Sequence, residues 1–81
     1  MRQYNEECGV FGVYGNSDTD VSLITYHGLY ALQHRGQESC GIVVCRDRSF
    51  YMHVDMGLVG EVFTKSVIAS LGVGNMAVGH V

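Results

Sequence analysis

Cys8 opens the run Cys8-Gly9-Val10-Phe11-Gly12, and seven residues precede it. A cut between Glu7 and Cys8 would place a thiol and a free α-amine on one residue. A thiol near pKa ~8.5 and an α-amine near ~7.7–8.0 are matched closely enough for the amine to take the thiol proton at neutral pH, directly or through one water. The nucleophile would then carry its own base, and cysteine is the strongest nucleophile of the terminal-residue set. While Met1 to Glu7 stay attached, that nitrogen is an amide and cannot act as a base, so removal of the leader would be the activation step. The competing reading of the same run is a small buried cysteine at the start of a strand.

A second chemically rich stretch is Leu32-Gln33-His34-Arg35-Gly36-Gln37-Glu38-Ser39-Cys40-Gly41. It lies between a predicted helix and an apolar strand, and loops at such junctions often hold sites. A solvated helix end explains part of it: His34 and Arg35 favour the negative end of the helix dipole, and Gly36 supplies a left-handed cap. It does not explain why Gln37, Glu38 and Ser39 run without a break into a buried strand. The three cysteines, Cys8, Cys40 and Cys45, form an odd set without framework spacing, which suits a reducing compartment. Cys40 and Cys45 point to opposite faces of an extended strand, and no Cys-x-x-Cys or His-x-x-x-His pair occurs, so no metal site is assigned. Both cysteines read as small buried apolar residues.

The elements that must position these residues follow from periodicity and punctuation. Cys8 to Tyr14 alternates small and apolar residues and ends at the turn cluster Gly15-Asn16-Ser17-Asp18, which predicts a first strand. Asp18, Thr19 and Asp20 offer N-caps for a helix from Val21 to His34, with Val21, Ile24, Leu29 and Leu32 at helical spacing. Gly28 within that helix costs about 0.5–1 kcal/mol relative to alanine, so its place there predicts either close packing on a neighbour or a cost that is simply tolerated. Ser39 to Cys45 and the alternating Phe50 to Met56 flank the polar Arg46-Asp47-Arg48-Ser49 and predict a hairpin. Glu61-Val62-Phe63 and Val67 to Leu71 fit one or two short helices closed by Gly72, and Asn75 to Val81 returns to strand character. The order strand, helix, hairpin, helix, strand predicts a helix layer on a mostly antiparallel sheet. The final apolar run breaks off at Gly79-His80-Val81 without turn or cap, so truncation is expected.

With 81 residues the chain is at most one domain. Hydrophobic residues make up 47 % and charged residues 16 %, with eleven glycines and no proline, which predicts a packed strand-rich piece rather than disorder. A net charge of -3 with five scattered lysines and arginines gives no footprint for nucleic acid. No apolar run approaches the roughly 18 residues of a spanning helix, and Met1 to Glu7 has no apolar core for a secretory signal, so the expected location is cytoplasmic.

The two blocks and their order resemble the N-terminal glutaminase domain of the glutamine phosphoribosylpyrophosphate amidotransferase family. The segments that carry the resemblance are Asn5 to Gly12, Leu32 to Ser39, Gly57-Leu58-Val59, Glu61-Val62-Phe63 and Ala77 to Val81. The leader ending in Glu6-Glu7 is similar to the propeptide of the self-processing, iron–sulfur-bearing branch. Sister glutamine amidotransferases usually lack that leader, and one of them usually reads Arg-Gly-Tyr-Asp where Arg35-Gly36-Gln37-Glu38 stands.

The resemblance implies an α+β fold, part of a four-layer αββα N-terminal nucleophile hydrolase sandwich. Residues 1–7 would be a propeptide-like leader and residues 8–81 the N-terminal part of a type 2 glutamine amidotransferase domain. It also implies a reaction in which Cys8 attacks the side-chain amide of glutamine and releases ammonia. A second domain then uses the ammonia to displace pyrophosphate from phosphoribosyl pyrophosphate, giving 5-phosphoribosylamine in purine synthesis. Matched residue by residue, Cys8 is nucleophile and base, Arg35 and Gly36 wall the glutamine pocket, and His34, Gln37 and Glu38 are loop structure. No cofactor is implied for these 81 residues. The complete family enzymes use Mg2+ and, in the propeptide-bearing branch, a 4Fe-4S cluster, and they form homo-oligomers.

In the family an arginine follows Gly-His-Val, and an Asn-Gly oxyanion hole and an aspartate come later; none of these is among the 81 residues. Since one oxyanion donor is worth about 10²–10³ in rate, the chain alone is expected to be inactive; it is also expected to keep its leader, because a truncated fold need not align the Glu7 carbonyl with the Cys8 thiol. Two other readings stay open from the residues: a non-catalytic interaction module, and a metal module drawing on Cys8, Cys40, Cys45, His53 and His80.

Overall fold

The structure, a computed structural model, describes residues 9–33 and 37–81. Four strands form one antiparallel sheet: β1 Val10–Tyr14, β2 Ser39–Arg46, β3 Ser49–Met56 and β4 Met76–His80. Helices α1 Val21–Leu32, α2 Val59–Val62 and α3 Lys65–Leu71 complete the described chain. The spatial order is β1-β4-β2-β3, so the last strand in sequence enters the middle of the sheet. Its register is Val10↔His80 and Tyr14↔Met76 on one side, Gly41↔His80 and Cys45↔Met76 on the other.

The β2–β3 hairpin forms as its alternation requires. Asp47 and Arg48 both take positive φ, 54° and 66°, as the two-residue turn that matches strand twist demands. Arg46 then ties the hairpin to α3. Its Nη1 donates to the carbonyls of Leu71 and Val73, both at 2.7 Å, which satisfies acceptors at the helix C-terminus. The Arg46 guanidinium also lies 4.0 Å from the Tyr51 ring centre.

All three helices lie against one face of the sheet. The core there is Val21 and Leu29 of α1, Cys40, Ile42 and Val44 of β2, Ala77 of β4, and Val59, Val62, Phe63 and Leu71 from the α2–α3 region. Within α1 the buried positions are Val21, Ser22, Thr25 and Leu29, whereas Ile24 is 40 % exposed and Leu32 half-buried. The buried stripe is thus rotated from the one that the aliphatic spacing predicts. The helix turns its small side chains to the sheet because α1 comes very close to it. A Cβ at Gly28 would stand 2.5 Å from the Phe11 ring, and one at Gly79 would stand 2.7 Å from Leu29 Cδ1 and Thr25 Cγ2. Of the two expectations for Gly28, close packing is the one that holds.

Two details of α1 differ from expectation. It ends at Leu32 rather than His34, because Gln33 is extended with ψ 151°. Asp20 is the N-cap residue, yet its side chain makes no capping bond and accepts from Ser22 Oγ at 3.4 Å instead. Thr19 Oγ1 is likewise diverted, accepting from Asn16 N–H at 3.0 Å within the preceding turn.

The opposite face of the sheet is also apolar. Val10, Tyr14, Phe50, Met52, Val54 and Met56 are 52–84 % exposed there, with Met76 and Val78 between them on β4. A sheet apolar on both faces is the pattern of a middle layer, and face-to-face sheet packing covers such surfaces at about 10 Å separation. One helix layer and one sheet of the expected αββα order are thus present. No helix among the described residues is long and apolar enough to cross a membrane.

Candidate functional site at one end of the sheet

Antiparallel pairing brings the start of β1, the start of β2, the end of β3 and the end of β4 to the same end of the sheet. Gly9 and Val81 extend the β1–β4 ladder there, with Gly9 N–H donating to Val81 O at 3.2 Å and Val81 N–H to Gly9 O at 3.0 Å. The end of α1 reaches the same place, since a Cβ at Gly9 would lie 3.2 Å from Leu32 and 3.4 Å from Val81. The Gly57–Val59 turn closes the group, tied to the start of β2 by Gly57 N–H donating to Glu38 O at 2.8 Å. Gly57 has φ +126°, a conformation open to glycine and strained for other residues.

The sequence-predicted site residues Cys8, Arg35 and Gly36, together with His34, lie outside the described residues. Their described chain neighbours, Gly9 on one side and Gln33 and Gln37 on the other, all stand at this end of the sheet. Sequence reasoning took Gln37 only as loop structure. Its Nε2 in fact donates to Gly57 O at 2.7 Å and to Ser39 O at 3.0 Å. Gln33 Oε1 accepts from Val59 N–H at 3.1 Å, at the first residue of α2. Glu61 completes that helix start by accepting from Leu58 N–H at 3.1 Å. None of these carried a sequence signal: Leu58 is not a capping residue type, and the glutamines span 20 and 26 positions.

Cys40 is fully buried on the helix side and approaches Gly57 O at 3.6 Å. Burial pushes its thiol up, the Gln37 amide opposes the shift and the Asp55 carboxylate adds to it. The folded chain thus holds the proton more tightly than the unfolded chain does. Stability should fall as pH rises above the ordinary thiol range near ~8.5, where only the unfolded state releases that proton. Urea midpoints measured from pH 7 to 10 should show this decline, and Cys40→Ala should flatten it. An equal slope in both proteins would contradict the assignment.

Cys45 is only half-buried and lies on the other face, so the expectation of two buried cysteines holds for Cys40 alone. The metal-module reading fares no better in geometry. Cys40 and His53 face the helices, where His53 meets Phe63 edge-on at 5.8 Å, while Cys45 and His80 face the opposite side. Among the described residues no group of three His, Cys, Asp or Glu side chains converges.

The antiparallel sheet with one helix layer makes this an α+β chain, and its likeness to solved structures makes the class the N-terminal nucleophile hydrolase fold. No family model matches the chain. Comparison with curated proteins is decisive. The chain is 52 % identical over 75 residues to amidophosphoribosyltransferase of Synechocystis, covering 93 % of this chain and 15 % of that protein. It is 46 % identical over 81 residues to the Bacillus subtilis amidophosphoribosyltransferase, covering 100 % of this chain and 16 % of that protein. A solved structure described as the allosteric regulatory enzyme of purine biosynthesis superposes with a TM-score of 0.76 at 43 % identity, over 89 % of this chain and 15 % of that one. The Bacillus subtilis enzyme complexed with ADP and GMP gives 0.74 at the same identity and coverage. The chain belongs to the amidophosphoribosyltransferase family, and spans about one-sixth of the length of these relatives.

Proposed function

We propose that these 81 residues form part of the glutaminase site of an amidophosphoribosyltransferase, with Cys8 as nucleophile and Arg35 and Gly36 beside the glutamine. The observation that carries this is the meeting of Gly9, Gln33, Gln37 and Val81 at one end of the sheet. The described chain neighbours of Cys8, Arg35 and Gly36 thus stand at one end of the sheet. Family membership at 46–52 % identity supplies the reaction class.

In this reading the Cys8 amine, freed of residues 1–7, takes the thiol proton. The thiolate attacks the side-chain amide carbon of glutamine, the C–N bond breaks, and ammonia leaves with the proton that the amine returns. Water then hydrolyses the thioester, giving glutamate and restoring the thiol. The ammonia is the nucleophile for phosphoribosyl pyrophosphate in the rest of the enzyme. Glutamine is thus the small-molecule partner.

The test is a chimera in which these 81 residues replace the matching segment of the Bacillus subtilis relative. It should make 5-phosphoribosylamine with glutamine as nitrogen donor, while the 81-residue chain alone should hydrolyse glutamine at the background rate. A chimera that works with added ammonia but never with glutamine would defeat the proposal.

A further inference from the structure

The face of the sheet turned away from the helices is built from alternate residues that the strand register sets in rows. Val10, His80, Gly41 and Val54 form one row, Gly12, Val78, Val43 and Met52 the next, and Tyr14, Met76, Cys45 and Phe50 the third. No aspartate, glutamate, lysine or arginine stands in these rows, whereas Asp55 lies on the helix side of β3. Absence of charge together with Tyr, Phe and Met is the composition of an interface core.

The relief of this face points to what it meets. Met76 and Val78 on β4 form a ridge with a groove on each side, one over Gly12 and bounded by Tyr14, the other over Val43 and Cys45 and bounded by Phe50. The first groove is open because a Cβ at Gly12 would meet nothing closer than Ala77 O at 3.8 Å. A ridge between two grooves is self-complementary. Under a two-fold axis the ridge of one copy lies in a groove of the other, and the reverse contact follows by symmetry.

We propose that the 81-residue chain pairs with a second copy of itself through this face, sheet against sheet about a two-fold axis. Each copy has one helix layer on one sheet, so the pair has the layer order helix, sheet, sheet, helix. This goes beyond the glutaminase reading and does not depend on it. Four strands about 4.8 Å apart and three rows about 6.8 Å apart span on the order of 400 Å2 of flat area, doubled in the pair and enlarged by side-chain relief. That lies at the low end of specific interfaces, so the pair is reversible, with a dissociation constant on the order of 10 µM.

Sedimentation velocity on the 81-residue chain from about 1 to 200 µM should show monomer passing to dimer and stopping there. Val78→Lys, at the centre of the face, should raise the dissociation constant at least about 30-fold, because pairing would bury an ammonium without a partner. Met52→Lys, on another strand, should weaken pairing by a similar factor. Leu23→Lys adds the same charge on α1, where Leu23 is 39 % exposed, and should leave the constant within about twofold. All three variants should keep the parent's far-UV circular dichroism at 1 µM, where monomer dominates, since Val78 and Met52 are exposed in the single copy. Monomer at every concentration would overturn the proposal, as would growth past the dimer of the kind that edge strands give. Equal dissociation constants in Val78→Lys and Leu23→Lys would overturn it too.

Discussion

Replacing Cys8 by alanine in the chimera will reduce glutamine-dependent synthesis by at least about 10³-fold and leave ammonia-dependent synthesis at its parent level. The size of the effect follows from the chemistry at that residue. In the proposed mechanism the Cys8 side chain supplies the attacking sulfur and its own amine the base, so alanine removes the bond-forming atom and leaves the amine no thiol to activate. Serine in its place would keep the geometry but present a hydroxyl that the same amine hardly ionises, and should recover little. The leader has a matching effect. A chimera whose intact mass still includes residues 1–7 should lack glutamine-dependent activity whatever its fold, because the Cys8 nitrogen is then an amide. Glutamine-dependent rates within about tenfold of the parent in the alanine variant would remove Cys8 from the mechanism.

The second large effect is structural. Gly74→Ala will destabilise the chain by about 3 kcal/mol, toward the upper end of what an added methyl costs in a packed interior. A Cβ at Gly74 would lie 2.4 Å from the carbonyl oxygen of Cys45 and 2.9 Å from Val44 Cγ1. No rotamer change relieves contact with a backbone oxygen, and that oxygen is already engaged by Asn75 N–H at 3.1 Å. Gly74 N–H is also committed, donating to Thr19 O at 3.0 Å, so the segment cannot shift without breaking the entry of β4 into the sheet. For a chain of this length such a loss lowers the melting temperature on the order of 12–24 °C. Gly12→Ala provides the contrast, since the nearest atom to its Cβ is Ala77 O at an ordinary 3.8 Å, and it should change stability by less than about 0.5 kcal/mol. Equal melting temperatures for the two variants would contradict the packing of β4.

Much of the local structure was legible in the residues. Alternation in Phe50 to Met56, with a polar break ahead of it, was enough for the hairpin, because strand period and turn chemistry are local properties. Gly72, with φ +70°, closes α3 as expected for the same reason. The α1 stripe was misjudged because hydrophobicity alone ranks Ile24 above Ser22 and Thr25. The helix instead faces the sheet with its small residues, a choice made by how near Gly79 and Phe11 lie. The proposed site residues Cys8, Arg35 and Gly36 rest on residue type and resemblance and lie outside the described residues, whereas the bonds of Gln33 and Gln37 had no sequence signal, since a glutamine beside a loop looks the same whether it is solvated or bonded.

The sequence by itself determined the cysteine at position 8 and the charged stretch from His34 to Glu38, the succession of strands and helices, and the family. Those depend on residue identity and near-neighbour spacing. Only the tertiary structure decided that β4 enters between β1 and β2, and that both faces of the sheet are apolar by use rather than by composition. It also decided that two glutamines of opposite polarity meet on the Gly57–Val59 turn. Those outcomes are set by contacts between residues 20 to 70 positions apart, whose partners are chosen by packing and by the need to pair buried backbone groups.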